Sequence, residues 1–282
     1  MADVVALVFD FDDTLASDST SGFLEEIGVD PAAFWKDEVG PLLEHEDWDP
    51  VPAYLHRMIE LSRSGRHGAI TRERLERWGE RLSLHEGVDT LFERLRARLH
   101  KAHPQVQIEF YLISSGIGDV LRRTPIAGQF TDIWASEFTY DASGAIDFPR
   151  RIVSFTDKTR YLFHIQKGIF GPESRNKPFE VNRKVDADKL RVPFEQMIFV
   201  GDGYTDIPCF SLIRRSGGVA FGVWDPRHQE KRSRAWGFIE DGRVSNLNHA
   251  RFGEEAELYQ LLEAAVESLA SKIVLRTRMY RG

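Results

Sequence analysis

The chain has a single cysteine, Cys209, so it cannot form an intramolecular disulfide. That scarcity favours a reducing compartment, and we expect a cytoplasmic protein. The sequence also lacks an apolar run long enough to cross a bilayer, and its first residues lack the basic start of a signal peptide. We therefore expect no membrane partner.

Positive charge is not in excess either. The sequence holds 44 acidic and 37 basic residues, for a net charge of −7. Because nucleic-acid binding usually needs a basic face, we expect no nucleic-acid partner. With 282 residues, the chain is long enough for one large domain or for a domain that carries a sizeable insertion.

The most informative pattern is an apolar run that ends in acidic residues. Residues 4–9 predict a buried central strand, and Asp10 and Asp12 would then project to one side of its end. Carboxylates gathered there need a cation, and ligands bind at this end of strands in open α/β sheets. The alternative is an acidic turn in which Asp13 or Thr14 caps a helix.

From residue 16 to about residue 106 the pattern is helical, and Leu75, Trp78 and Leu82 recur at helical spacing. A block of helices after the first strand predicts an inserted cap domain over residues 16–86, with Gly87 as a hinge. The core domain would comprise residues 1–15 and 87–282. The predicted helices lie near residues 20–28, 31–44, 50–64, 71–82 and 87–101.

Two later strands are also expected to end in polar residues. The first, over 106–113, would end before Ser114-Ser115-Gly116, and the second, over 196–200, precedes Gly201-Asp202-Gly203-Tyr204-Thr205-Asp206. Strands alternating with helices predict an α/β fold with a Rossmann-like parallel sheet and helices on both faces. The remaining predicted elements are strands at 133–135 and 218–223, a hairpin around 141–144, and helices over 158–167 and 254–273.

The ends of parallel strands share one edge of a sheet, so the polar residues would meet there. The acidic ones are Asp10, Asp12, Asp202 and Asp206. Oxygen ligands without a histidine or cysteine cluster favour Mg²⁺ over Zn²⁺, and Mg²⁺ keeps positions open for phosphate oxygens. The Ser114 hydroxyl, the backbone N–H groups that follow it and one lysine would complete a cradle for the phosphate.

These motifs, in this order, resemble the haloacid dehalogenase (HAD) superfamily, specifically its magnesium-dependent phosphatase branch with a helical cap. The layout is similar to that of phosphoserine phosphatases. Residues 10–14 match the first motif, Ser114 the second, Lys158 the third and residues 201–206 the fourth. The resemblance implies that a small phosphorylated metabolite is hydrolysed through a phosphoaspartyl intermediate.

The resemblance also implies a role for each matching residue. Asp10 would be the nucleophile and a metal ligand, and Asp12 the general acid and base, with its backbone carbonyl on the metal. Asp202 would bind the metal directly, and Asp206 would support it through water or hydrogen bonds. The groups that hold the phosphate would be Ser114, Ser115, Gly116 and Lys158.

The third motif is the least distinctive, because Lys167, Lys177 and Lys184 are rivals of Lys158. Lys158 is favoured by its place at the start of a predicted helix. A lysine at that place usually contributes little to stability, so replacing it with alanine is expected to leave the fold intact.

The substrate and the reaction class leave alternatives open. Phosphoserine phosphatases have a glutamate soon after the first motif that engages the substrate's amino group, whereas Ser19 stands at the matching position here, beside Asp18. Phosphoserine is therefore not the default substrate. Asp12 argues against a dehalogenase, but a phosphomutase or phosphotransferase of the same superfamily, or a catalytically silent binding module, remains open.

Overall fold

In the computed structural model, residues 3–227 and 236–279 are described, and they form one seven-stranded sheet with the strand order β4-β3-β2-β1-β5-β6-β7. Every neighbouring pair is parallel except β3 and β4, which are antiparallel. The strands are β1 (Val4–Phe9), β2 (Gln107–Ile117), β3 (Asp132–Tyr140), β4 (Ile146–Arg151), β5 (Met197–Gly201), β6 (Val219–Trp224) and β7 (Asn246–His249).

Helices separate most of these strands and follow the last one. The α-helices whose full range is described are α1 (Ser19–Glu26), α2 (Pro31–Ala33), α3 (Gly40–His45), α4 (Pro50–Ser64), α5 (Arg72–Arg81), α6 (Val88–Ala102), α7 (Gly118–Leu121), α8 (Phe155–Lys167), α9 (Ile207–Arg215) and α10 (Glu257–Arg278). Residues 236–240 are also helical. Within the described residues, none of the helices combines the length and the hydrophobicity that a membrane span requires.

The central strand β1 is buried along its whole length, as the sequence predicts. Val5, Leu7 and Phe9 belong to a hydrophobic core that includes residues of α6 and α10, because alternate residues of a strand face opposite sides of the sheet. The residues between them face a second core, which includes residues of α8 and α9. The predicted α/β fold, with a largely parallel sheet between two helical layers, is confirmed.

The helices of residues 16–86 begin at recognisable signals. The Asp18 carboxylate accepts hydrogen bonds from the first N–H groups of α1, and the Thr71 hydroxyl does the same for α5. The helix predicted over 31–44 is interrupted, because a π-helical turn, Phe34–Val39, separates α2 from α3. This turn lies directly before Pro41, which has no N–H to bond the carbonyl four residues earlier.

We call residues 16–86 the helical insertion, since they lie between β1 and β2. Its buried residues, such as Phe34 and Leu55, belong to the same hydrophobic cluster as Leu7 and Phe9 of the sheet. It also touches the β3–β4 hairpin, where the Ile146 N–H donates to the carbonyl of Ile70 at 2.9 Å. The division of the chain into core and cap domains, with a hinge at Gly87, stays a prediction.

One predicted strand end is right and one is wrong. β1 ends at Phe9 as predicted, and the acidic residues that follow lie in a turn in which the Leu15 N–H donates to the carbonyl of Phe11 at 2.8 Å. β2 does not end before Ser114 but continues to Ile117, and its register against β3 shifts between Ile113 and Ile117. Small residues at 114–116 allow this bulge, so the polar segment lies within the strand.

Further differences lie in the part of the chain that follows α8. β7 is not predicted, because Asn246–His249 holds three polar residues and no apolar run. α10 begins three residues later than predicted and ends five residues later. Residues 168–192 contain short 3₁₀ turns, and Lys167 at the end of α8 donates to the carbonyls of Val181 and Arg183 within this segment.

Candidate active site

Asp10 is the first residue after the central strand, and it is almost fully buried. Its N–H donates to the carbonyl of Val200 at 2.9 Å, which fixes the backbone beside the end of β5. Its carboxylate lies against α8, where Oδ1 is 3.0 Å from Nζ of Lys158. The end of β1, the end of β5 and the start of α8 therefore meet at this carboxylate.

Lys158 is the lysine that the structure brings to this point. Its side chain is 0% exposed, and Nζ lies 2.6 Å from Oδ1 of Asp206 as well as 3.0 Å from Asp10. Its rivals lie elsewhere: Lys167 donates to backbone carbonyls, and Lys177 and Lys184 are exposed. The ammonium group is buried between two carboxylates rather than solvated, so the expectation that alanine at this position leaves the fold intact stays a prediction that this placement does not favour.

Asp206 is placed by the glycines of the fourth motif. Its Oδ2 accepts the Gly203 N–H at 3.1 Å. A Cβ at position 201 would lie 2.4 Å from the same oxygen, so only glycine fits there. Asp202, between these glycines, is also buried. One carboxylate oxygen each from Asp10, Asp202 and Asp206 lie within 4.8 Å of one another.

Acidic side chains crowd together in this cluster. Asp10 and Asp206 share the ammonium group of Lys158, and Asp202 brings a third carboxylate to the same point. Oxygen donors alone suit a hard divalent cation. The residues present therefore fit a metal ion, and the predicted gathering of Asp10, Asp202 and Asp206 at one sheet edge is observed.

Burial acts on both partners of the Asp10–Lys158 pair. It raises the pKa of Asp10 to about 7, with a further contribution from Asp206, while Lys158 acts in the opposite direction. Burial alone would lower the pKa of Lys158, but the carboxylates of Asp10 and Asp206 outweigh it and raise that pKa above its usual value. The lysine therefore stays protonated, and the crowding instead raises the pKa of Asp10.

Asp12 lies outside the cluster of three carboxylates. Its Oδ1 accepts the Ser19 N–H at 2.7 Å, and a Cβ at Gly116 would lie 2.6 Å from its Oδ2. The sequence predicts that Asp12 contacts the metal through its backbone carbonyl, and the position of its side chain does not test that prediction. Burial raises the pKa of Asp12 well above its usual value, and the Asp18 carboxylate raises it further. Burial, rather than the neighbouring acids, is the main cause.

The segment Ser114-Ser115-Gly116 forms the bulge of β2 beside Asp12. The Gly116 N–H, which is predicted to help hold the phosphate, donates to Oγ of Ser114 at 2.9 Å. Because that oxygen accepts a hydrogen bond, the O–H proton of Ser114 can donate elsewhere. The Ser115 hydroxyl is buried and has no hydrogen-bond partner among the described residues.

Ser19 does not offer a side chain to a substrate amine. It is almost fully buried at the start of α1, and its carbonyl accepts the indole N–H of Trp78 at 2.9 Å. The neighbouring Asp18 accepts the N–H groups of Thr20 and Ser21 and the Ser21 hydroxyl. Position 18 therefore holds a helix cap, and position 19 a core residue.

Tyr54 is a residue near the site that sequence reasoning misses. From α4 of the helical insertion, its hydroxyl donates to the carbonyl of Ser115 at 2.6 Å. Val51, Leu55 and Met58 on the same helix are buried, so Tyr54 fits an ordinary apolar helix face. The sequence offers no signal that its hydroxyl reaches the second motif.

Arg227 is another such residue, placed where the chain crosses between the sheet and the helical insertion. It forms a bidentate contact with the buried carboxylate of Asp225, which follows β6. Its Nη2 also donates to Oγ of Ser17 at 2.7 Å and lies 3.3 Å from Nδ1 of His85. Ser17 and His85 lie on the two crossing segments, so one guanidinium group joins both to the sheet.

A family model supplies the classification. The model for haloacid dehalogenase-like hydrolases matches residues 7–211. The chain belongs to this family. The matched interval begins within β1 and ends within α9, so it contains all four motif positions described above. The predicted membership of the HAD superfamily is confirmed.

Individual relatives are more distant. An uncharacterized protein of Borreliella burgdorferi is 24% identical over 277 residues, which cover 91% of this chain and 94% of that protein. A substrate-bound phosphoserine phosphatase is 14% identical with a TM-score of 0.54, over 92% of this chain and 97% of that one. A HAD family hydrolase of Salmonella enterica serovar Typhi is 15% identical with a TM-score of 0.53. That match covers 82% of this chain but only 65% of the Salmonella protein.

Proposed function

We propose that this chain is a Mg²⁺-dependent phosphatase that hydrolyses a small phosphomonoester through a phosphoaspartyl intermediate on Asp10. The observation that carries the proposal is the buried cluster of Asp10, Asp202 and Asp206, two of which, Asp10 and Asp206, contact Lys158. The family membership and the fold shared with a phosphoserine phosphatase are in keeping with it.

The carboxylates of Asp10, Asp202 and Asp206 would hold the ion, together with the backbone carbonyl of Asp12. When bound, Mg²⁺ would withdraw charge from the phosphate oxygens and favour the ionised form of Asp10. The oxygen-only donor set supports Mg²⁺ over a softer metal.

In the first step, a carboxylate oxygen of Asp10 attacks phosphorus, and the bond from phosphorus to the ester oxygen breaks. Asp12 donates its proton to the departing oxygen, so the leaving group departs as a neutral alcohol. Its raised pKa favours the protonated form that this step needs. Lys158 and the Ser114 hydroxyl stabilise the negative charge on the transferred phosphoryl group.

In the second step, Asp12 is a carboxylate and takes a proton from a water molecule. That water attacks phosphorus, the acyl phosphate bond breaks, and inorganic phosphate leaves while the carboxylate of Asp10 is restored. The Asp12 side chain is only partly exposed, beside Ser19 and Gly116, so both of its proton transfers take place in a confined space.

The helical insertion is the proposed cap of this site. Tyr54 from α4 reaches the second motif, and burial of Asp12 depends in part on Ser19 of α1. A cap excludes water from the reacting groups and contacts the leaving group, so we expect the helical insertion to influence substrate choice.

The test is hydrolysis of p-nitrophenyl phosphate by the purified chain with Mg²⁺, with EDTA and with the Asp10→Asn variant. We expect release of p-nitrophenol with Mg²⁺ and none after EDTA or in the variant. A panel of phosphorylated metabolites would then define the substrate. Equal turnover with and without EDTA, or full activity of Asp10→Asn, would contradict the proposal.

A further inference from the structure

The hydrogen bond from Tyr54 to Ser115 joins residues that are 61 positions apart, one in the helical insertion and the other in β2. Tyr54 is 6% exposed, and its ring packs on that of Trp35 with 5.6 Å between the ring centroids. The Trp35 N–H donates to Oγ of Ser21 at 2.8 Å, which holds this ring in turn. The position of the Tyr54 hydroxyl is therefore set by packing within the helical insertion.

The carbonyl that accepts this hydrogen bond belongs to the same peptide unit as the Gly116 N–H. A trans peptide is planar, so its C=O and N–H point in opposite directions and cannot turn independently. The Gly116 N–H donates to Oγ of Ser114 at 2.9 Å. A continuous chain of hydrogen bonds thus runs from the Tyr54 hydroxyl through the 115–116 peptide to the Ser114 hydroxyl.

This peptide has few other restraints. It lies in the part of β2 where the register against β3 shifts, so ladder hydrogen bonds do not fix it. Gly116 carries no side chain, and a Cβ there would meet both Asp12 and Ser114. Rotation of the peptide would break the contact to Ser114 and would turn its hydroxyl away from its present direction.

The hydroxyl of Tyr54 is held in the donor form. Burial raises its pKa well above the usual value, and the carboxylates of Asp12 and Asp18 add to this, whereas a hydrogen bond with Ser136 acts in the opposite direction. A protonated phenol gives one hydrogen, and the Ser115 carbonyl receives it. Hydrogen bonds in a chain polarise one another, which strengthens the link as a whole.

We propose that Tyr54 is a positioning residue that fixes the 115–116 peptide and thereby orients the Ser114 hydroxyl toward the phosphoryl group of the substrate. This role of Tyr54 rests on the proposed phosphatase function. The phosphate site is then complete only when the helical insertion is in place, although no side chain of the helical insertion needs to touch the phosphate.

The test is a double-mutant cycle between Tyr54→Phe and Ser114→Ala, because the effects of residues that act as one unit do not add. Binding of inorganic phosphate is measured by calorimetry on the full chain with Mg²⁺, beside kcat and KM with p-nitrophenyl phosphate. Tyr54→Phe removes one hydrogen bond and should weaken phosphate binding roughly three- to tenfold. In the Ser114→Ala background, the same substitution should change binding less than twofold.

Tyr111→Phe is the matched control. Tyr111 is a buried tyrosine on β2 whose hydroxyl also donates at 2.6 Å, but to Glu109 near the amino end of the strand. We expect Tyr111→Phe to lower the Tm as much as Tyr54→Phe does while leaving phosphate affinity unchanged. Equal weakening by Tyr54→Phe in both backgrounds, or none in the wild type, overturns the positioning role.

Failure of the proposed function has a different signature. A wild-type chain that neither binds phosphate nor hydrolyses any ester overturns both proposals together. A wild-type chain that hydrolyses esters, with additive effects in the cycle, overturns only the role of Tyr54.

Discussion

Two clusters of charged residues lie at opposite ends of the same sheet, and they differ in the ratio of acidic to basic groups. Near the amino end of β2, the Arg191 guanidinium donates to the carboxylate of Glu109, and the Tyr111 hydroxyl donates to its other oxygen. This amino-end cluster has one positive and one negative group. At the carboxyl end, Asp10 and Asp206 share Lys158, and Asp202 adds a third carboxylate within 4.8 Å of both.

The difference separates a structural role from a functional one. Both clusters are at least partly buried, so burial does not distinguish them. In the amino-end cluster one carboxylate pairs with one guanidinium group. In the carboxyl-end cluster three carboxylates lie within 4.8 Å of one another, and this crowding is costly in a protein interior unless a cation relieves it. The crowding marks the carboxyl end as the place where a ligand binds.

The largest expected contrast is between the isosteric substitutions Asp10→Asn and Glu109→Gln. Asp10→Asn should abolish turnover and phosphoenzyme formation, because an amide is not a nucleophile toward phosphorus. It should not lower the Tm in metal-free buffer, since it removes one of three crowded carboxylates. Glu109→Gln should keep full activity. Phosphate release and the mass of acid-quenched protein would check this, and phosphorylated Asp10→Asn protein would contradict it.

Asp12→Asn should slow turnover by roughly 10²–10⁴-fold, because general acid and base help is lost in both steps. An aryl phosphate has a good leaving group and should still phosphorylate Asp10. The phosphoryl group should then accumulate on the protein, visible as a mass increment on a peptide that contains Asp10. Its absence, with the variant still slowly active, would show that Asp12 does not act in the second step.

Lys158→Met should lower kcat by roughly 10²–10³-fold, the usual effect of removing one group that stabilises charge in the transition state. Methionine keeps much of the apolar stem, so the loss reports on the charge. Lys177→Met is the matched control, since Lys177 is exposed. The Lys158 variant should also unfold at a lower Tm in metal-free buffer, because Asp10 and Asp206 lose their shared cation. Similar kinetics for the two variants would contradict the assignment.

The smallest expected effect is on stability alone. Arg191→Met removes the positive group of the amino-end cluster and leaves Glu109 without its ion pair, which should cost about 1–3 kcal/mol of unfolding free energy. Turnover and phosphate affinity should not change. Urea denaturation and steady-state kinetics would test this, and a loss of activity in the folded variant would remove the contrast between the two ends.

The sequence predicts much of the carboxyl-end cluster because its signals are local. The apolar run before Asp10 predicts a buried strand, and the glycines around Asp202 predict a tight turn. The alternation of strands and helices predicts a parallel sheet, in which the strand ends share one edge. Lys158 is harder to predict, since choosing it over three rival lysines depends on tertiary contacts. Its burial between two carboxylates is invisible in the sequence.

The contacts of the helical insertion are the part that the sequence does not predict. Tyr54 belongs to an ordinary apolar face, and Arg227 meets Ser17 across 210 positions. Local patterns carry no information about such pairs. The bulge at 114–116 is missed for a related reason, because Gly116 lies against Asp12, which is distant in the sequence.

The most direct test of whether the carboxyl-end cluster binds a metal is calorimetric titration of Mg²⁺ into metal-free protein. We predict one saturable site in the wild type, an affinity that falls roughly 10–100-fold in Asp202→Asn, and wild-type binding in Glu109→Gln. Glu109→Gln removes a carboxylate from the balanced cluster, so it controls for loss of charge alone. Absence of Mg²⁺ binding in the wild type, or equal binding by Asp202→Asn, would contradict the claim that the crowded carboxylates at the carboxyl end form a metal site.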